Sequence, residues 1–175
     1  TVPARHAYPI ETTLSDAELA SFPCSYSTAE NMLTRAQVTE KDTLLITGAS
    51  GGVGSAAIQL ARARGARVIA VAGGKKQQSV LDAGAAQVLV RGDSLEAVLG
   101  ENVVDVVIDL VGGEKWPELL NILRPFGRYA VSGAIAGPIV ALDLRTLYLK
   151  DQQFMGCTVL DEGVFSRFVG LIERG

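Results

Sequence analysis

Short apolar runs alternate with segments of helical periodicity over most of this chain. The apolar runs predict six β-strands, at residues 44–46, 68–71, 88–90, 103–110, 128–132 and 154–160. The segments that follow these runs predict helices, at residues 53–63, 75–83, 94–99, 116–123, 142–149 and 164–173. Strands that alternate with helices in this way predict an α/β fold, a doubly wound six-stranded parallel sheet with helices on both faces.

The chain before residue 38 follows a different pattern. Residues 1–14 have little periodicity and are interpreted as an extended lead-in. Ser15 and Glu18 stand at the spacing of a capping box, which predicts the start of a short helix, and a longer helix with one apolar face follows it. Residues 15–37 are therefore expected to form a short helical hinge, and residues 38–175 to form one domain.

The first apolar run ends in a glycine cluster, Gly48, Gly51, Gly52 and Gly54, and a helical segment follows at once. This order of strand, glycine turn and helix is the one that a dinucleotide-binding unit needs, because the backbone can approach a pyrophosphate and the free N–H groups of the helix face it. The first position of the usual G-x-G-x-x-G pattern is Ala49 here, so an ordinary strand-to-helix turn is the alternative. Six strands around such a turn make a complete Rossmann sheet. The ligand is then expected at the carboxyl ends of the strands, at residues 48–54, 72–76, 109–113 and 132–134.

The second predicted strand carries a signal about the cofactor. A site that prefers NAD usually has an acidic residue at the end of this strand, which binds the ribose 2′-hydroxyl. No Asp or Glu occurs between Arg67 and Ser79, and Lys75 and Lys76 stand there instead. Because an ammonium group attracts a 2′-phosphate, this pattern favours NADP(H), with Arg91 as a further candidate for the phosphate or the adenine. The alternative is that the lysines form a solvated helix start.

Composition and charge limit the classes of partner that the chain can have. The chain has 175 residues, is 48% hydrophobic and has a net charge of −3, which fits one domain with a sizeable core. The mild acidity leaves no basic footprint for nucleic acid, and no apolar run is long enough to span a membrane. The start of the chain does not resemble a signal peptide, which favours the cytoplasm. Cys24, Cys157 and His6 are too few for a disulfide framework or a closed zinc site.

Several segments together resemble the medium-chain dehydrogenase/reductase superfamily, in its zinc-type alcohol dehydrogenase and quinone oxidoreductase branches. They are FPCSYSTAENML (22–33), LLITGASGGVGSAAIQLARARGARVIAV (44–71), VVDVVIDLVGG (103–113), GRYAVSGAIAG (127–137) and FMGCTV (154–159). The resemblance covers nearly the whole chain but only about half of such an enzyme. It implies an excised cofactor domain, in which residues 1–14 are the tail of an otherwise missing GroES-like substrate domain.

The resemblance also implies roles for single residues. Val53 and Thr28 would lie near the nicotinamide ring, and Lys76 would bind the 2′-phosphate. Cys24 falls where zinc-dependent members place a ligand of the catalytic zinc, with a small buried cysteine as the alternative. The predicted cofactor-binding residues are Thr28, Ser50, Gly51, Gly52, Val53, Gly54, Ala72, Gly73, Lys76, Arg91, Leu110, Val111, Ser132, Gly133 and Cys157.

The activity that the resemblance implies is hydride transfer between NADP(H) and a small alcohol, carbonyl, enone or quinone substrate. Carbonyl reduction also needs a proton donor or a Lewis acid, and Tyr26 and Thr28 are the candidates for a proton relay, with a purely structural role for both as the alternative. A zinc-independent quinone or enoyl reductase and a non-catalytic nucleotide-sensing module remain as alternatives. A short-chain dehydrogenase is disfavoured, because no tyrosine has a lysine four positions later. The apolar run at 154–159 is expected to be an edge strand through which two copies form a homodimer.

Overall fold

The chain folds into one parallel sheet flanked by helices. Its computed structural model describes residue 4, residues 7–161 and residues 163–174. The strands are β1 (Thr43–Ile46), β2 (Arg67–Ala72), β3 (Gln87–Val90), β4 (Val104–Asp109), β5 (Leu123–Val131) and β6 (Gln153–Gly156). They pair in the order β3-β2-β1-β4-β5-β6, and every neighbouring pair is parallel. The predicted fold class is confirmed, and β1 and β4 flank the point where the strand order reverses.

The helices lie where the periodicity predicts them, with small shifts at their ends. They are α1 (Asp16–Ser21), α2 (Ser25–Arg35), α3 (Gly52–Ala63), α4 (Gln77–Asp82), α5 (Leu95–Leu99), α6 (Trp116–Ile122), α7 (Leu144–Leu149) and α8 (Val164–Arg174). A single 3₁₀ turn, Gly74–Lys76, precedes α4. Within the described residues, none of these helices has the length and apolar character that a membrane span requires.

The core is divided between the two faces of the sheet. In β1, Leu44 and Ile46 belong to the cluster on the side of α2 and α3, whereas Leu45 belongs to the cluster on the side of α6. Successive side chains of a strand point to opposite faces, so a central strand covered on both sides is apolar at every position. This explains why the central strands appear in the sequence as continuous apolar runs.

The last strand is shorter than the sequence predicts, because side chains of α2 form hydrogen bonds with its last residue and with the segment that follows it. Asn31 of α2 is buried and makes two hydrogen bonds to this segment: its side-chain amide donates to Val159 O over 3.1 Å, and its Oδ1 accepts from Asp161 N over 3.0 Å. Arg35 of α2 donates to Gly156 O over 2.8 Å. These bonds occupy backbone groups that a longer strand would use, so β6 ends at Gly156 instead of residue 160.

The segment at 15–37 consists of the two predicted helices, and α2 is fastened to the domain. The capping box is present, since Ser15 Oγ accepts from Glu18 N and Glu18 accepts from Ser15 N. At the other end, Arg128 of β5 donates to Ala36 O over 2.7 Å and pairs with the Asp42 carboxylate. Residues 4 and 7–14 of the lead-in lie within the described part of the chain. The assignment of residues 1–14 as the tail of a further domain and of residues 15–37 as a hinge stays a prediction.

Candidate cofactor site at the carboxyl ends of the strands

The glycine turn connects β1 to α3 with very little space between them. A Cβ at Gly54 would lie 2.4 Å from Gly48 O and 2.7 Å from Ala49 Cα, so only glycine permits this approach of helix and strand. Gly48 itself has φ +58°, a left-handed conformation that glycine adopts without strain. Ala49 is fully buried and its N–H donates to Val71 O over 3.2 Å. The alanine in the first fingerprint position therefore faces the interior rather than the ligand side.

The first turn of α3 offers backbone donors to a ligand. The N-cap residue is Gly51, which has no side chain that could cap the helix, and no acidic residue lies in the first turn. The N–H groups of the first turn of a helix have no partner within the helix, and they attract an anion. Gly51 and Gly52 are exposed, and a Cβ at Gly52 would lie 2.7 Å from Ser25 Oγ. The start of α2 therefore lies beside the start of α3.

The opposite wall of the site is a turn after β4, and a buried carboxylate holds it. Asp109 is 0% exposed. Its Oδ1 accepts from Thr47 Oγ1 over 2.5 Å, from Val111 N over 2.9 Å and from Gly112 N over 3.2 Å, and its Oδ2 accepts from Tyr129 OH over 2.6 Å. Burial, and then the negative charge of Asp109, raise the pKa of Tyr129 far above its ordinary value, so its hydroxyl stays a donor.

This buried cluster has no role in the expectations from sequence, although the pattern contains a signal for it. Asp109 is an acid inside the predicted strand at 103–110, next to its carboxyl end, where ligands bind in this fold. Its partners are Thr47, directly after β1, and Tyr129 of β5, 62 and 20 residues away. A single sequence does not reveal such pairings, because they depend on the order of the strands.

A cavity of about 90 Å³ lies between the ends of β1, β3 and β4. It brings together Gly48, Val111 and Arg91, which the sequence analysis assigns to the same site. Lys115 fastens the loop beyond β3, since its ammonium group donates to Gly92 O over 2.5 Å and to Asp93 O over 3.0 Å. The cavity has the position of a ligand site at the reversal point of the sheet.

The predicted phosphate lysine lies in the 3₁₀ turn that follows β2. Lys76 is exposed at the end of the 3₁₀ turn, and Lys75 precedes it. The N–H of Arg91 donates to Ala72 O over 2.8 Å, which holds the ends of β2 and β3 together. Among the described residues neither lysine takes part in an ion pair. A Cβ at Gly73 would meet nothing within 4 Å, so the space beside it is open.

A second group of predicted residues meets at the ends of β4, β5 and β6. Ser132 Oγ donates to Cys157 O over 2.6 Å, and Ser132 N donates to Asp109 O over 3.1 Å. A Cβ at Gly133 would lie 2.6 Å from Leu110 O, so these two segments are in contact. The thiol of Cys157 is buried, and burial raises its pKa. Cys157 therefore contributes its backbone to this region, while its thiol packs in the core.

The structure does not bring Tyr26 to the strand ends. Its hydroxyl donates to Gln59 Oε1 over 3.1 Å, on the second turn of α3, and its ring packs against Phe22 and Phe168. Thr28 is half-buried on α2, one turn after Cys24, and its N–H donates to Cys24 O. Neither residue makes a hydrogen bond to Asp109 or Ser132 that would join it to the groups at the strand ends. Their catalytic roles stay predictions.

Cys24 lies at the N-cap position of α2, with φ +73° and an exposed side chain. Within residues 7–161 and 163–174, no group of three or more His, Cys, Asp or Glu side chains is arranged to hold a metal ion. His6 lies outside the described residues. A metal at Cys24 would therefore need ligands from elsewhere, and the assignment of Cys24 as a zinc ligand stays a prediction.

The sheet order, the glycine turn and the cavity at the reversal point together define a dinucleotide-binding domain of the Rossmann type. Residues 52–174 match the family model described as "Zinc-binding dehydrogenase". The chain belongs to this family, and the resemblance to the medium-chain dehydrogenase/reductase superfamily is confirmed.

Similar proteins agree with this placement. The chain is 36% identical to an acryloyl-coenzyme A reductase from Metallosphaera sedula over 84% of its own length and 44% of that protein's. It is 36% identical to the quinone oxidoreductase-like protein 2 of Bos taurus over 87% of its own length and 46% of the relative's. A solved structure described as a putative alcohol dehydrogenase from Sinorhizobium meliloti 1021 is 53% identical, with a TM-score of 0.91 over 99% of this chain and 49% of that chain. The chain thus spans about half the length of the relatives it matches.

Two further structures with the same fold, at 24% identity and TM-scores of 0.80 and 0.83, were solved with NADP bound. At this level of identity the likeness is one of fold alone.

Proposed function

We propose that this chain is the NADP(H)-binding domain of an oxidoreductase that transfers a hydride between the nicotinamide and an alcohol, carbonyl, enone or quinone substrate. The observation that carries the proposal is the cradle between Gly48 and Gly54. The absence of a side chain at Gly54 lets α3 begin directly against the backbone of Gly48 and Ala49. The N–H groups of the first turn of α3 have no partner within the helix and no side-chain cap, so they can bind an anion. The residues present therefore fit a dinucleotide pyrophosphate.

The preference for the phosphorylated cofactor rests on charge. Lys75 and Lys76 follow β2, and Arg91 lies at the end of the neighbouring strand. No carboxylate of β2 or of the turn after it offsets these charges. An ammonium or guanidinium group binds a 2′-phosphate by charge-assisted hydrogen bonds, so we expect Lys76 and Arg91 to hold it. The same groups offer nothing specific to the free 2′-hydroxyl of NAD(H).

The protein's part in the reaction is to bind the cofactor and to orient its nicotinamide ring. The bound nicotinamide supplies or accepts the hydride. The donors at the start of α3 hold the pyrophosphate, and Val53 follows them toward the expected position of the ring. Gly133 packs against Leu110 and Ser132 donates to Asp109 O, and we expect Leu110, Ser132 and Gly133 to form the wall of the nicotinamide half. The proton donor or Lewis acid of the complete enzyme is expected from the domain that this chain does not contain, and the isolated chain is expected to bind cofactor without turnover.

Whether the complete enzyme uses zinc depends on the role of Cys24. Cys24 is exposed and directly precedes Ser25, whose hydroxyl lies beside Gly52 of the glycine turn. This position suits a zinc ligand that is completed by side chains of the missing domain. A zinc-independent quinone or enoyl reductase is the alternative. The full-length protein decides between them: zinc that is retained through dialysis and lost in Cys24→Ser supports the zinc enzyme, while turnover without zinc supports the alternative.

Assembly into a homodimer through β6 is also part of the proposal. β6 is an edge strand, so one row of its backbone groups has no partner strand. The segment between β5 and α7 lines a cavity with β6 and exposes large apolar side chains, with Ile135 and Ile139 85% and 88% exposed. Sedimentation equilibrium should show a dimer that Ile139→Glu breaks. Val98→Glu, at an exposed position of α5, is the control, and a monomeric wild-type chain would contradict the proposal.

We place the parent protein in the cytoplasm, in line with its low cysteine content. Fractionation of cells that produce the full-length protein tests this location, and recovery outside the cytoplasm would contradict it.

The cofactor assignment is tested by titrating the chain with NADPH and with NADH while following the fluorescence of the reduced nicotinamide. We expect tighter binding of NADPH, and a loss of that difference in Lys76→Ala. Lys41→Ala is the matched control, because Lys41 is an exposed lysine at the amino end of β1. Equal affinities for both nucleotides, unchanged in Lys76→Ala, would contradict the assignment.

A further inference from the structure

Asp109 places a carboxylate in the apolar interior of the sheet, where a charged group destabilises the fold unless it is hydrogen-bonded. Apart from Asp105 near its amino end, the other residues of β4 are valine and isoleucine, and the carboxylate of Asp109 is fully buried. Burying a charge costs free energy unless hydrogen bonds replace the lost water. Here Thr47, directly after β1, Tyr129 of β5 and the turn after β4 supply those bonds.

The bonds leave the carboxylate no freedom to rotate. Tyr129 binds one oxygen, and Tyr129 OH itself accepts from Trp116 Nε1 over 2.8 Å. Thr47 binds the other oxygen, and its hydroxyl accepts from Leu110 N over 2.9 Å. Each of these side chains is therefore held by a second bond, so the direction of the carboxylate is set from both sides.

The Asp109 carboxylate holds the turn after β4, which borders the glycine cradle. Val111 N and Gly112 N donate to it, and a Cβ at Gly48 would lie 3.3 Å from Val111 Cγ2. Gly112 lines the cavity of about 90 Å³ beside β1 and also a neighbouring cavity of about 300 Å³ against β5 and β6. The turn is thus the partition between the two spaces.

We propose that Asp109 is a positioning residue for the cofactor: it does not touch the nucleotide, but through the N–H groups of Val111 and Gly112 it sets the wall against which the nucleotide lies. This inference rests on the proposed cofactor site. It adds Asp109 and Thr47 to the residues to which the family resemblance assigns a role at the cofactor site. Loosening this turn would let Val111 move into the space of the cofactor.

The test compares NADPH binding in Asp109→Asn with that in Asp105→Asn. Asp105 lies at the amino end of the same strand, where it accepts from Thr43 N over 2.8 Å and from Arg124 Nη1 over 2.9 Å. Both variants lose a charge that is hydrogen-bonded on β4, so both are expected to lose stability. Only Asp109→Asn should change the NADPH Kd, measured at a temperature at which every variant is folded. A rise of about tenfold is expected, equivalent to ~1.4 kcal/mol.

Thr47 supplies a second, milder test in case Asp109→Asn fails to fold. Thr47→Val keeps the shape and removes the hydroxyl that binds both Asp109 and Leu110 N, whereas Thr47→Ser keeps the hydroxyl. We expect Thr47→Val to weaken NADPH binding and Thr47→Ser to restore most of it.

Two results would overturn the inference. One is wild-type NADPH affinity in folded Asp109→Asn and Thr47→Val; the other is equal weakening in Asp105→Asn, which would mean a general loosening of the sheet. A wild-type chain that binds no dinucleotide at all would instead refute the proposed function itself.

Discussion

Gly54→Ala is the substitution that tests the packing of the cradle most severely. The added Cβ would lie 2.4 Å from Gly48 O and 2.7 Å from Ala49 Cα. Both are backbone atoms, so no side-chain rotation relieves the contact, and α3 must move away from β1. Overpacking of this kind costs about 1–3 kcal/mol, and the better helix propensity of alanine offsets about 1 kcal/mol of it.

Because both clashing atoms are backbone, we take the upper part of that range, about 2–3 kcal/mol, so the expected net loss is roughly 1–2 kcal/mol of unfolding free energy. For a chain of this size it lowers the Tm by about 2–8 °C. Thermal unfolding followed by circular dichroism measures this change. Because the donors of α3 move with the helix, NADPH affinity should also fall, by at least about tenfold or ~1.4 kcal/mol.

Gly170→Ala in α8 is the matched control, because the same substitution should there have the opposite sign. The nearest atom to its added Cβ is the end of the flexible Arg174 side chain, at 3.4 Å. The gain in helix propensity is then expected to stabilise the chain by about 0.5–1 kcal/mol. Equal Tm values for Gly54→Ala and the wild type, with unchanged NADPH binding, would refute the reasoning about the cradle.

Three further predictions concern the rest of the chain. Asn31→Ala leaves two backbone groups of the segment after β6 without their partner, and should cost about 1–3 kcal/mol in urea unfolding; a cost below about 0.5 kcal/mol, the range of ordinary surface substitutions, would contradict this. Bonds from the backbone and the side chain of Ser15 lower the pKa of Glu18, so this capping box stabilises α1 above the ordinary Glu pKa and its contribution is lost as the pH falls through the lowered value; NMR titration should show the pKa rising in Ser15→Ala. In the folded chain Cys24 should react with a thiol reagent before Cys157, because Cys24 is exposed and Cys157 is buried; equally rapid labelling of both would contradict the packing of Cys157.

The fold was predictable from sequence because its signals are local. Parallel strands covered on both faces are continuous apolar runs, and Leu44, Leu45 and Ile46 show why, since they divide between two cores. The glycine turn is equally local, because Gly54 is needed for a contact with residues only five and six positions earlier. The order of the strands then follows from the rules for this fold class.

Features that depend on pairing between distant segments were not predictable in the same way. β6 ends early because Asn31, far away in sequence, binds the residues that follow it. Tyr26 faces Phe22 and Phe168 rather than the strand ends because α8 packs beside α2, which no local pattern reveals. The buried bonds of Asp109 belong to the same class.

The central claim is that backbone donors at the start of α3 hold the pyrophosphate of NADPH. Its most direct test is a titration of the ¹⁵N-labelled chain with NADPH, followed by the chemical shifts of the backbone amides. The account predicts saturable shifts that are largest at Gly51, Gly52, Val53 and Gly54. Saturable binding that leaves these amides unchanged and shifts those of another surface instead would contradict it.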